Sequence, residues 1–576
     1  MRQWMVAAKK ADFYAIAEKF HVDPVVARII RNREVIGEKN IRIYLGGNLS
    51  DLSDPHQMKD MDRLVEILAQ KIRKQVHIRI IGDYDVDGVT SSHLFLTALR
   101  RVGAKVDVVI PHRIQDGYGL SLHLLQQAKE DGVDTILTCD NGIAAIDEIA
   151  WAKAQKMTVL VTDHHAVPFE EHEGRRTEKK SLADAVVNPH QQDCGYPYKE
   201  LCGAGVAWNV IRVLYENYDM DKREAEDLLD FVAMATVCDV MSLTGENRIL
   251  VKEGLKRIRH TKNIGLQALM QACNVQPENI SAYHFGYVLG PCVNATGRLD
   301  TARHALRLFE TGQETEAEEI ARDLVDLNQE RKELTLQGVE MAKKLCEEGG
   351  YENDPILVLF LPDVHESIAG LIAGRIREMY NRPVFVLTRG EEGVKGSGRS
   401  TENYSMYENM CGCAELFTKF GGHPMAAGLS LPEENVEKFR RKINENCPLT
   451  VEEVCPDIHI DMAMPVGYAS TELVHQFALL EPFGKDNPSP LFADRNLSIS
   501  RMWVIGKNRN VLRMSVLSEY GQPVPVIFFG DVETLFAYFT EKFGQEEVEN
   551  ALHGRKNRIL FSMVYTAKVD FYQGNE

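Results

Sequence analysis

The sequence has no uninterrupted apolar run that approaches the length needed to cross a bilayer. Its first twenty residues mix lysine, aspartate and glutamate with short apolar patches and contain no signal-peptide core. Cysteine is sparse: the 11 residues are scattered, and the closest pair is CxC at 411–413, which does not favour a zinc site or a disulfide framework. We therefore expect a cytoplasmic protein with reduced thiols and no membrane partner.

Positive charge is also in deficit, because 66 Lys and Arg face 84 Asp and Glu, for a net charge of −18. This balance argues against a protein that binds nucleic acid by bulk electrostatics. It leaves room for a site in which bound cations and a few placed arginines reverse the local sign. At 576 residues, 44% hydrophobic and 26% charged, the chain has the composition of a globular protein of three or four domains.

Predicted helices alternate with short apolar strands from residue 60 onward, with strands at 76–81, 106–110, 135–137 and 158–161. This βαβ rhythm is typical of an α/β fold with a parallel, doubly wound sheet. A polar insert at 170–180 is predicted to be a solvated loop. A long charged helix over 311–348 leads to a second α/β unit with glycine-rich turns at 390–398, and short strands after 448 favour a small barrel.

The stretch RIIGDYDVDGVT at 79–90 places Asp83, Asp85 and Asp87 at alternate positions directly after an apolar strand. Open α/β sheets bind their ligands at the carboxyl ends of their strands. Three acids this close repel one another unless a cation joins them. The alternative is an Asp-rich turn closed by Gly88, and the stretch alone does not decide between the two.

Two further predicted strands also end in ligand-type residues. Asp140 follows one of them, and Asp163, His164 and His165 follow the other. Asp239 lies in the apolar run ATVCDVMSL and needs a cation or donors, because a buried unpaired carboxylate is unfavourable. For an isolated His-His, a hydrogen-bonded pair at a strand end would be the simpler interpretation. Beside three acidic strand ends, His164 is favoured as a ligand.

Carboxylates combined with an imidazole suit Mn²⁺ or Mg²⁺ better than Zn²⁺. Two such ions about 3.5–4 Å apart are a standard arrangement for phosphoester hydrolysis. We predict that two divalent ions are held by Asp85, Asp87, Asp140, His164 and Asp239. His165 is expected to orient ligands or touch phosphate, and Asp83 is expected to be a supporting acid.

Several arginines lie beside glycines, namely Arg113, Arg298, Arg375 and Arg399. Arginine binds phosphate bidentately, and glycine lets phosphate approach the backbone. Ser397 accompanies Arg399 on a predicted glycine-rich turn, and His423 lies on a similar turn in FGGHPMAAG. A surface arginine is usually just solvated, and a structurally packed loop is the alternative for His423.

A basic strip in the β-rich tail carries one tryptophan, Trp503. Its members are Arg495, Arg501, Lys507, Arg509 and Arg513. Basic groups interleaved with an aromatic suit single-stranded nucleic acid, whose bases stack and whose phosphates pair with cations. A solvated strand edge with Trp503 in the core is the alternative.

With these residues in hand, the chain resembles the RecJ-type single-stranded-DNA exonucleases of the DHH phosphoesterase superfamily. The matching motifs follow the family's order over nearly the whole chain. They are GDYDVDGVT (82–90), PHRIQDGYGL (111–120), TCDNGI (138–143), TDHH (162–165), VVNP (186–189), LCGAGVAW (201–208), VCDV (237–240), NATGRLD (294–300), HESIAGLIAGR (365–375), KGSGRS (395–400), FGGHPMAAGLS (420–430) and LEPFGKDNPSPLF (480–492).

The amphipathic pattern of residues 1–50 predicts a helical lead-in. The resemblance implies a DHH catalytic domain (51–300), a connecting helix (301–350), a DHHA1 domain (351–450) and an OB-fold (451–576). It implies the metal ligands named above, a 5′-phosphate site at Arg113, Ser397 and Arg399, and a substrate contact at Arg298. The implied activity is 5′→3′ hydrolysis of single-stranded DNA to 5′-mononucleotides in repair and recombination. Implied partners are a helicase or a single-strand-binding protein.

Four positions depart from the family's pattern. Ile81 stands where many members have a histidine, from which we hypothesise weaker binding of one metal or a preference for Mn²⁺. Val364, Ser367 and Cys292 replace a usual Trp, Gly and Arg, which puts local substrate contacts in question.

Two alternatives are weighed beside the exonuclease. A DHH/DHHA1 phosphodiesterase for short oligonucleotides or cyclic dinucleotides would share the acidic set, but the β-rich tail is superfluous for so small a substrate. An inactive DNA-binding scaffold would not need all five ligand-type residues.

Overall fold

The computed structural model describes residues 4–113, 116–117, 119–172, 175–390, 393–506 and 509–569. The chain divides into two compact units: the first contains residues 47–456 and 482–487, and the second contains 2–46, 457–481 and 488–576. The five-domain division made from the sequence stays a prediction. Within the described ranges, none of the helices combines the length and apolarity that a membrane span requires.

Strands occur in both units, and each is short enough to belong to a globular sheet. In chain order they are β1 (Trp4–Val6), β2 (Ile78–Ile81), β3 (Val106–Val109), β4 (Thr135–Cys139), β5 (Thr158–Thr162), β6 (Phe169–His172), β7 (Arg175–Glu178), β8 (Ala185–Val187), β9 (Leu357–Phe360), β10 (Val384–Gly390), β11 (Gly393–Arg399), β12 (Lys419–His423), β13 (Ala426–Leu431), β14 (Ile458–Ile460), β15 (Met462–Ala463), β16 (Phe492–Ile505), β17 (Val511–Leu517), β18 (Pro523–Phe529) and β19 (Leu560–Tyr565).

Helices make up most of the remaining described chain. They are α1 (Phe13–Phe20), α2 (Pro24–Asn32), α3 (Glu38–Gly46), α4 (Met61–Arg73), α5 (Val86–Arg101), α6 (Leu122–Glu130), α7 (Ile146–Ala154), α8 (Gly203–Asn217), α9 (Lys222–Glu226), α10 (Leu229–Cys238), α11 (Gly245–Ile258), α12 (Ile264–Ala272), α13 (Ala282–His284), α14 (Gly290–Leu299), α15 (Arg303–Glu310), α16 (Glu314–Glu348), α17 (Ala369–Tyr380), α18 (Met406–Cys411), α19 (Val436–Glu445), α20 (Thr471–Gln476), α21 (Val532–Phe543) and α22 (Gln545–Leu552). A π-helical turn (Phe285–Leu289) joins α13 to α14.

The first sheet has the order β3-β2-β4-β5-β8, and all its pairs are parallel. The inner strand β2, between β3 and β4, is buried at every position. Successive residues of β2 face opposite layers, because Ile80 belongs to the apolar cluster around α4, α5 and α8 while Ile81 belongs to the cluster around α6 and α7. The predicted parallel sheet with helices on both faces is thereby confirmed.

The second sheet of the first unit has the order β12-β13-β11-β10-β9. The predicted glycine-rich turns at 390–398 are wrong where the structure describes them, because 393–399 form the strand β11 (391 and 392 lie outside the described residues). The glycines serve packing: a Cβ at Gly396 would lie 2.4 Å from Leu387 Cδ2, and one at Gly398 would lie 2.6 Å from Met406 Sδ. Sequence alone does not distinguish such a glycine from a turn glycine.

The insert at 170–180 and the long charged helix were both predicted from the sequence, and only the helix is fully confirmed. The polar insert at 170–180 is not wholly a loop, because β6 and β7 pair in antiparallel register from Phe169 with Glu178 to His172 with Arg175. The long charged helix is confirmed as α16, with 35 residues and a length of about 50 Å.

In the second unit, β15 to β19 form one five-stranded sheet around the long strand β16. A bulge between Ile499 and Arg501 curls this strand. Residues of the helical lead-in pack with the tail, where Arg33 makes a two-pronged ion pair with Asp461 at 2.6 and 3.0 Å. The curled sheet confirms the predicted OB-type architecture.

Asp230, in the first turn of α10, provides a test of how burial affects stability. The carboxylate accepts from Thr261 Oγ1 at 2.6 Å, but burial raises its pKa to about 6. Because the folded-state pKa lies above the unfolded value, the protonated group stabilises the protein below about pH 4, and this stability is lost as the pH rises through 6. The free-energy difference between wild type and Asp230→Asn should change by up to about 3 kcal/mol between pH 4 and pH 7.5, in the variant's favour at the higher pH.

Urea unfolding of both proteins at several pH values checks this. A difference that does not vary with pH would show that Asp230 is ionised throughout.

Candidate metal centre

The acidic strand ends predicted from the sequence meet at one edge of the parallel sheet. Strands β2, β4 and β5 are neighbours, and residues 83–87, Asp140 and residues 163–165 directly follow them. The carboxyl ends of parallel strands open at the same edge, which is where such sheets bind ligands. α10 contributes Asp239, which caps its last turn.

His164 is the centre of the cluster. Its Nε2 lies 3.0 Å from Asp140 Oδ1 and 3.6 Å from both Asp87 Oδ2 and Asp239 Oδ2. Three groups have ligand atoms within 4.8 Å of one another: Asp140, His164 and His165; Asp87, His164 and Asp239; and Asp83, Asp85 and Asp140. The structure therefore brings together every residue predicted as a ligand or as its neighbour.

Asp87 is oriented by the start of another helix. Its two carboxylate oxygens accept from the backbone amides of Gly203 at 2.6 Å and Ala204 at 2.8 Å, in the first turn of α8. A helix N-terminus stabilises negative charge through its free amides and its dipole. Helix α5 begins at Val86, and Asp85 caps it by accepting from Gly88 N at 3.0 Å.

Asp163 has a supporting role and holds the histidine pair. Its Oδ1 accepts from the amides of His164 at 2.7 Å and His165 at 3.0 Å and lies 2.8 Å from His165 Nδ1, while its Oδ2 accepts from Ile143 N. Burial alone would raise the pKa of Asp163, but the hydrogen bond and charge of His165 outweigh burial and lower the pKa. Burial alone would lower the pKa of His165, but the hydrogen bond and charge of Asp163 outweigh burial and raise the pKa to about 9.

The electrostatics of the cluster fit a divalent cation. Burial, followed by the charge of neighbouring aspartates, raises the pKa values of Asp83, Asp85, Asp140 and Asp239. Burial lowers the pKa of His164, whose buried Nε2 makes no well-aligned hydrogen bond to any described residue. Repelling carboxylates around a neutral imidazole nitrogen form the donor set that Mn²⁺ and Mg²⁺ accept.

Backbone strain accompanies two of these acids. Asp140 has φ +61°, and Val240, which follows Asp239, has φ +56°. Positive φ is rare for residues with a side chain and is a genuine outlier for a β-branched one. Such strain is concentrated at functional sites, where the surrounding structure fixes it.

Ile81, where many family members have a histidine, has a fully buried side chain. It belongs to the apolar cluster that contains Leu120, Leu124 and Ile143. This position faces the α6 and α7 layer of the sheet. The hypothesis of a weakened metal site or a Mn²⁺ preference stays a prediction.

Three of the predicted substrate arginines are electrostatically coupled. Burial and the charges of Arg113, Arg331 and Arg399 lower the pKa of Arg298 to about 10, and its Nη1 donates to Ser367 O at 2.6 Å. Arg113 lies over the Tyr84 ring at 5.0 Å. Mutually repelling guanidiniums favour an anion among them.

Ser397 and Arg399 lie on β11, and the side chains of both approach Gly370. The Oγ of Ser397 and the Nη2 of Arg399 each lie 2.9 Å from the position that a Gly370 Cβ would occupy. His423 is exposed at the end of β12 and borders the tight two-residue turn 424–425, whereas Gly421 and Gly422, predicted in the turn, lie in the strand. Through Ala426, which pairs with both, His423 and Arg399 fall in one row across the sheet.

Residues that the sequence reasoning missed also approach the cluster. Asn294 Oδ1 accepts from Val86 N at 3.1 Å and fixes the start of α5. Lys485, in the loop 482–487, places its positive charge where it acts on Asp239. The signal for both was present in the motifs NATGRLD and LEPFGKDNPSPLF, but no rule of spacing assigned them to this site.

In the second unit, Trp503 is partly buried rather than in the core. The guanidinium of Arg501 lies 5.0 Å from its ring, and Arg513 pairs directly opposite on β17. Arg501 and Arg513 are both exposed. The basic strip thus includes an accessible cation–aromatic face, while Lys507 lies outside the described residues.

The fold and the site define a protein of the DHH phosphoesterase class. Family models match the DHH family's N-terminal domain at residues 77–236, the DHHA1 domain at 353–447 and the RecJ OB domain at 460–576. The RecJ single-stranded-DNA-specific exonuclease of Haemophilus influenzae is 34% identical over 86% of this chain and 88% of its own length. The chain belongs to the RecJ family.

Two further similarities agree with this assignment. The Bacillus subtilis RecJ exonuclease is 33% identical over 88% of this chain, which spans 63% of that relative's length. The crystal structure of Thermus thermophilus RecJ in complex with Mn²⁺ matches with a TM-score of 0.76 and 26% identity, over 92% of this chain and 76% of that one.

Proposed function

We propose that this chain is a 5′→3′ exonuclease that hydrolyses single-stranded DNA to 5′-mononucleotides in DNA repair and recombination. The observation that carries the proposal is the convergence of Asp87, Asp140 and Asp239 on His164 Nε2 at 3.0–3.6 Å, in a chain of the RecJ family. The same proposal includes a cytoplasmic location and single strands supplied by a helicase or a single-strand-binding protein.

In this proposal, two divalent ions are held by Asp85, Asp87, Asp140, His164 and Asp239. When bound, such ions activate water and stabilise the charge of the pentavalent phosphate. The amides of α8 fix Asp87, and Asp163 fixes both histidines, so the ligands need little reorganisation. His165 is then placed to orient a ligand or touch the phosphate, and Asp83 supports the first acids.

In this proposal, the arginines determine the 5′→3′ direction of degradation. Arg113, Ser397 and Arg399 hold the 5′ phosphate, Arg298 contacts the adjoining backbone, and His423 completes the row on the second sheet. Bidentate guanidinium contacts select a terminal phosphate by geometry as well as by charge. A strand held by its 5′ end presents its first phosphodiester to the metal centre.

Digestion of 5′- and 3′-labelled single-stranded and duplex DNA, with Mn²⁺ or Mg²⁺, tests the proposal. We expect 5′ label to leave single-stranded DNA first, as mononucleotide, and blunt duplex to resist. Release of the 3′ label first would refute the polarity. A dinucleotide cut far faster than a long strand would instead favour the short-oligonucleotide phosphodiesterase.

A further inference from the structure

Two tyrosines near the metal centre are stacked on each other and open to solvent. Tyr283 is 63% exposed and Tyr287 is 71% exposed. Their ring centroids lie 5.0 Å apart with an interplanar angle of 22°. Large aromatic rings bury substantial area when they find a partner, so two stacked rings facing water form a surface suited to a third planar group.

The segment that carries these tyrosines packs on the last turn of α10. Cys238 Sγ donates to Phe285 O at 3.3 Å. A Cβ at Gly290 would lie 2.3 Å from Cys238 Sγ, and one at Gly286 would lie 3.4 Å from Val237 Cγ1. Because Asp239 directly follows this turn, the tyrosine pair is anchored to the backbone that carries a proposed metal ligand.

The local geometry is unusual in two respects. Residues 285–289 form a π-helical turn, a feature that is frequent at functional sites. On the α10 side, Val240 is 63% exposed and has a strained positive φ. Phe285 and Leu289 of the turn are buried, while Tyr287 and Val240 are exposed.

The same helical segment continues to the proposed phosphate site. Helix α14 begins at Gly290 and carries Arg298 near its end. At 1.5 Å per residue, Tyr287 and Arg298 are about 16 Å apart along the helix axis. The tyrosines thus lie at the end of the segment that is remote from the arginines.

A positive charge also lies near Asp239. The loop 482–487 is held by a bond from Leu243 N to Lys485 O at 2.9 Å and by one from Asn487 Nδ2 to Pro482 O at 2.7 Å. Lys485 is exposed, and its charge acts on Asp239. Aromatic rings combined with a cation, without a donor pattern that reads base edges, are the recognition elements for single-stranded nucleic acid of any sequence.

We propose that Tyr283 and Tyr287 are a stacking platform for bases of the single strand on the 3′ side of the cleaved phosphodiester, with Lys485 pairing with its backbone. This inference rests on the proposed exonuclease function, and it adds a binding subsite for the part of the strand that is not yet cut. The platform holds the strand between successive cleavages and does not touch the reacting phosphate.

Steady-state kinetics of Tyr283→Ala, Tyr287→Ala and the double variant test the platform. On a 5′-phosphorylated 30-mer, each ring removed should raise KM roughly tenfold with kcat little changed, because stacking contributes binding and not chemistry. Tyr287→Phe retains the ring and should retain KM. A 5′-phosphorylated dinucleotide held at the arginines does not reach the platform, so its turnover by the variants should equal that by wild type.

The control is Leu182→Ala, which removes a side chain of similar exposure, 61%, elsewhere in the same unit and should change neither constant. Unchanged KM in the double variant on the 30-mer would overturn the platform, and so would an equal loss on the dinucleotide, which would indicate general damage. If wild type itself does not degrade the 30-mer, the proposed function fails and the platform, which rests on it, is overturned with it, whereas loss confined to the variants' KM bears on the platform alone.

Discussion

Asp140→Asn should lower kcat on single-stranded DNA by at least about 10²-fold and, without metal, should make the protein more stable than wild type. Loss of a ligand weakens a contribution of several kcal/mol to the transition state. Without metal, the substitution removes a buried charge whose pKa is raised by burial and by Asp87 and Asp85. Lower kcat together with higher stability of the metal-free protein distinguishes a metal ligand from an acid that only stabilises the fold.

Thermal unfolding with and without Mn²⁺ measures the second effect. Mn²⁺ should stabilise wild type, by about 3 kcal/mol at a hundredfold excess over its Kd, and should stabilise Asp140→Asn much less. Asp147→Asn, which neutralises an exposed acid at the start of α7, is the matched control and should behave as wild type. An equal Mn²⁺-induced shift in Asp140→Asn and wild type would contradict the ligand assignment.

Gly203→Ala should lower activity by about 10- to 100-fold, although no side chain at 203 takes part in the proposed chemistry. A Cβ at this position would lie 2.6 Å from Asp140 Cβ, which is too close for two carbon atoms. To relieve the clash, α8 or Asp140 must move, and the amides of Gly203 and Ala204 then no longer hold Asp87 at 2.6 and 2.8 Å.

Gly205→Ala, two residues further along α8, is the matched control. Its Cβ would be 3.4 Å from Leu201, an ordinary contact, so activity should stay near wild type. Both variants exchange Gly for Ala in the first turn of α8, so a large difference between them reports the clash. Equal activities would mean that the fixed position of Asp87 is not required.

The parallel sheet and the acidic strand ends could be predicted because each is a local pattern. A buried strand reads as a continuous apolar run, and ligands follow where such strands end. The grouping of Asp87, Asp140 and His164 then follows from the shared edge of the sheet. Asp239 was found because an acid in an apolar run demands an explanation.

What the sequence did not predict are close approaches between distant segments. Gly203 against Asp140, Lys485 beside Asp239 and Gly396 against Leu387 depend on packing that no local pattern encodes. A glycine in a strand and a glycine in a turn look alike in sequence, so the glycines of β11 and β12 predict turns where the structure has strands. The hairpin of β6 and β7 was missed because its residues are mostly polar.

The bond from Arg298 Nη1 to Ser367 O joins the parallel-sheet part of the first unit to the part built on the mixed sheet. One guanidinium therefore serves two purposes, since it spans the two parts and also faces the proposed phosphate site. A charged hydrogen bond contributes about 1.5–3 kcal/mol, enough to bias the spacing between the parts. An anion that draws Arg298 away from Ser367 shifts the equilibrium between spacings of the two parts. By linkage, a change in that spacing alters the affinity for the anion by the same factor.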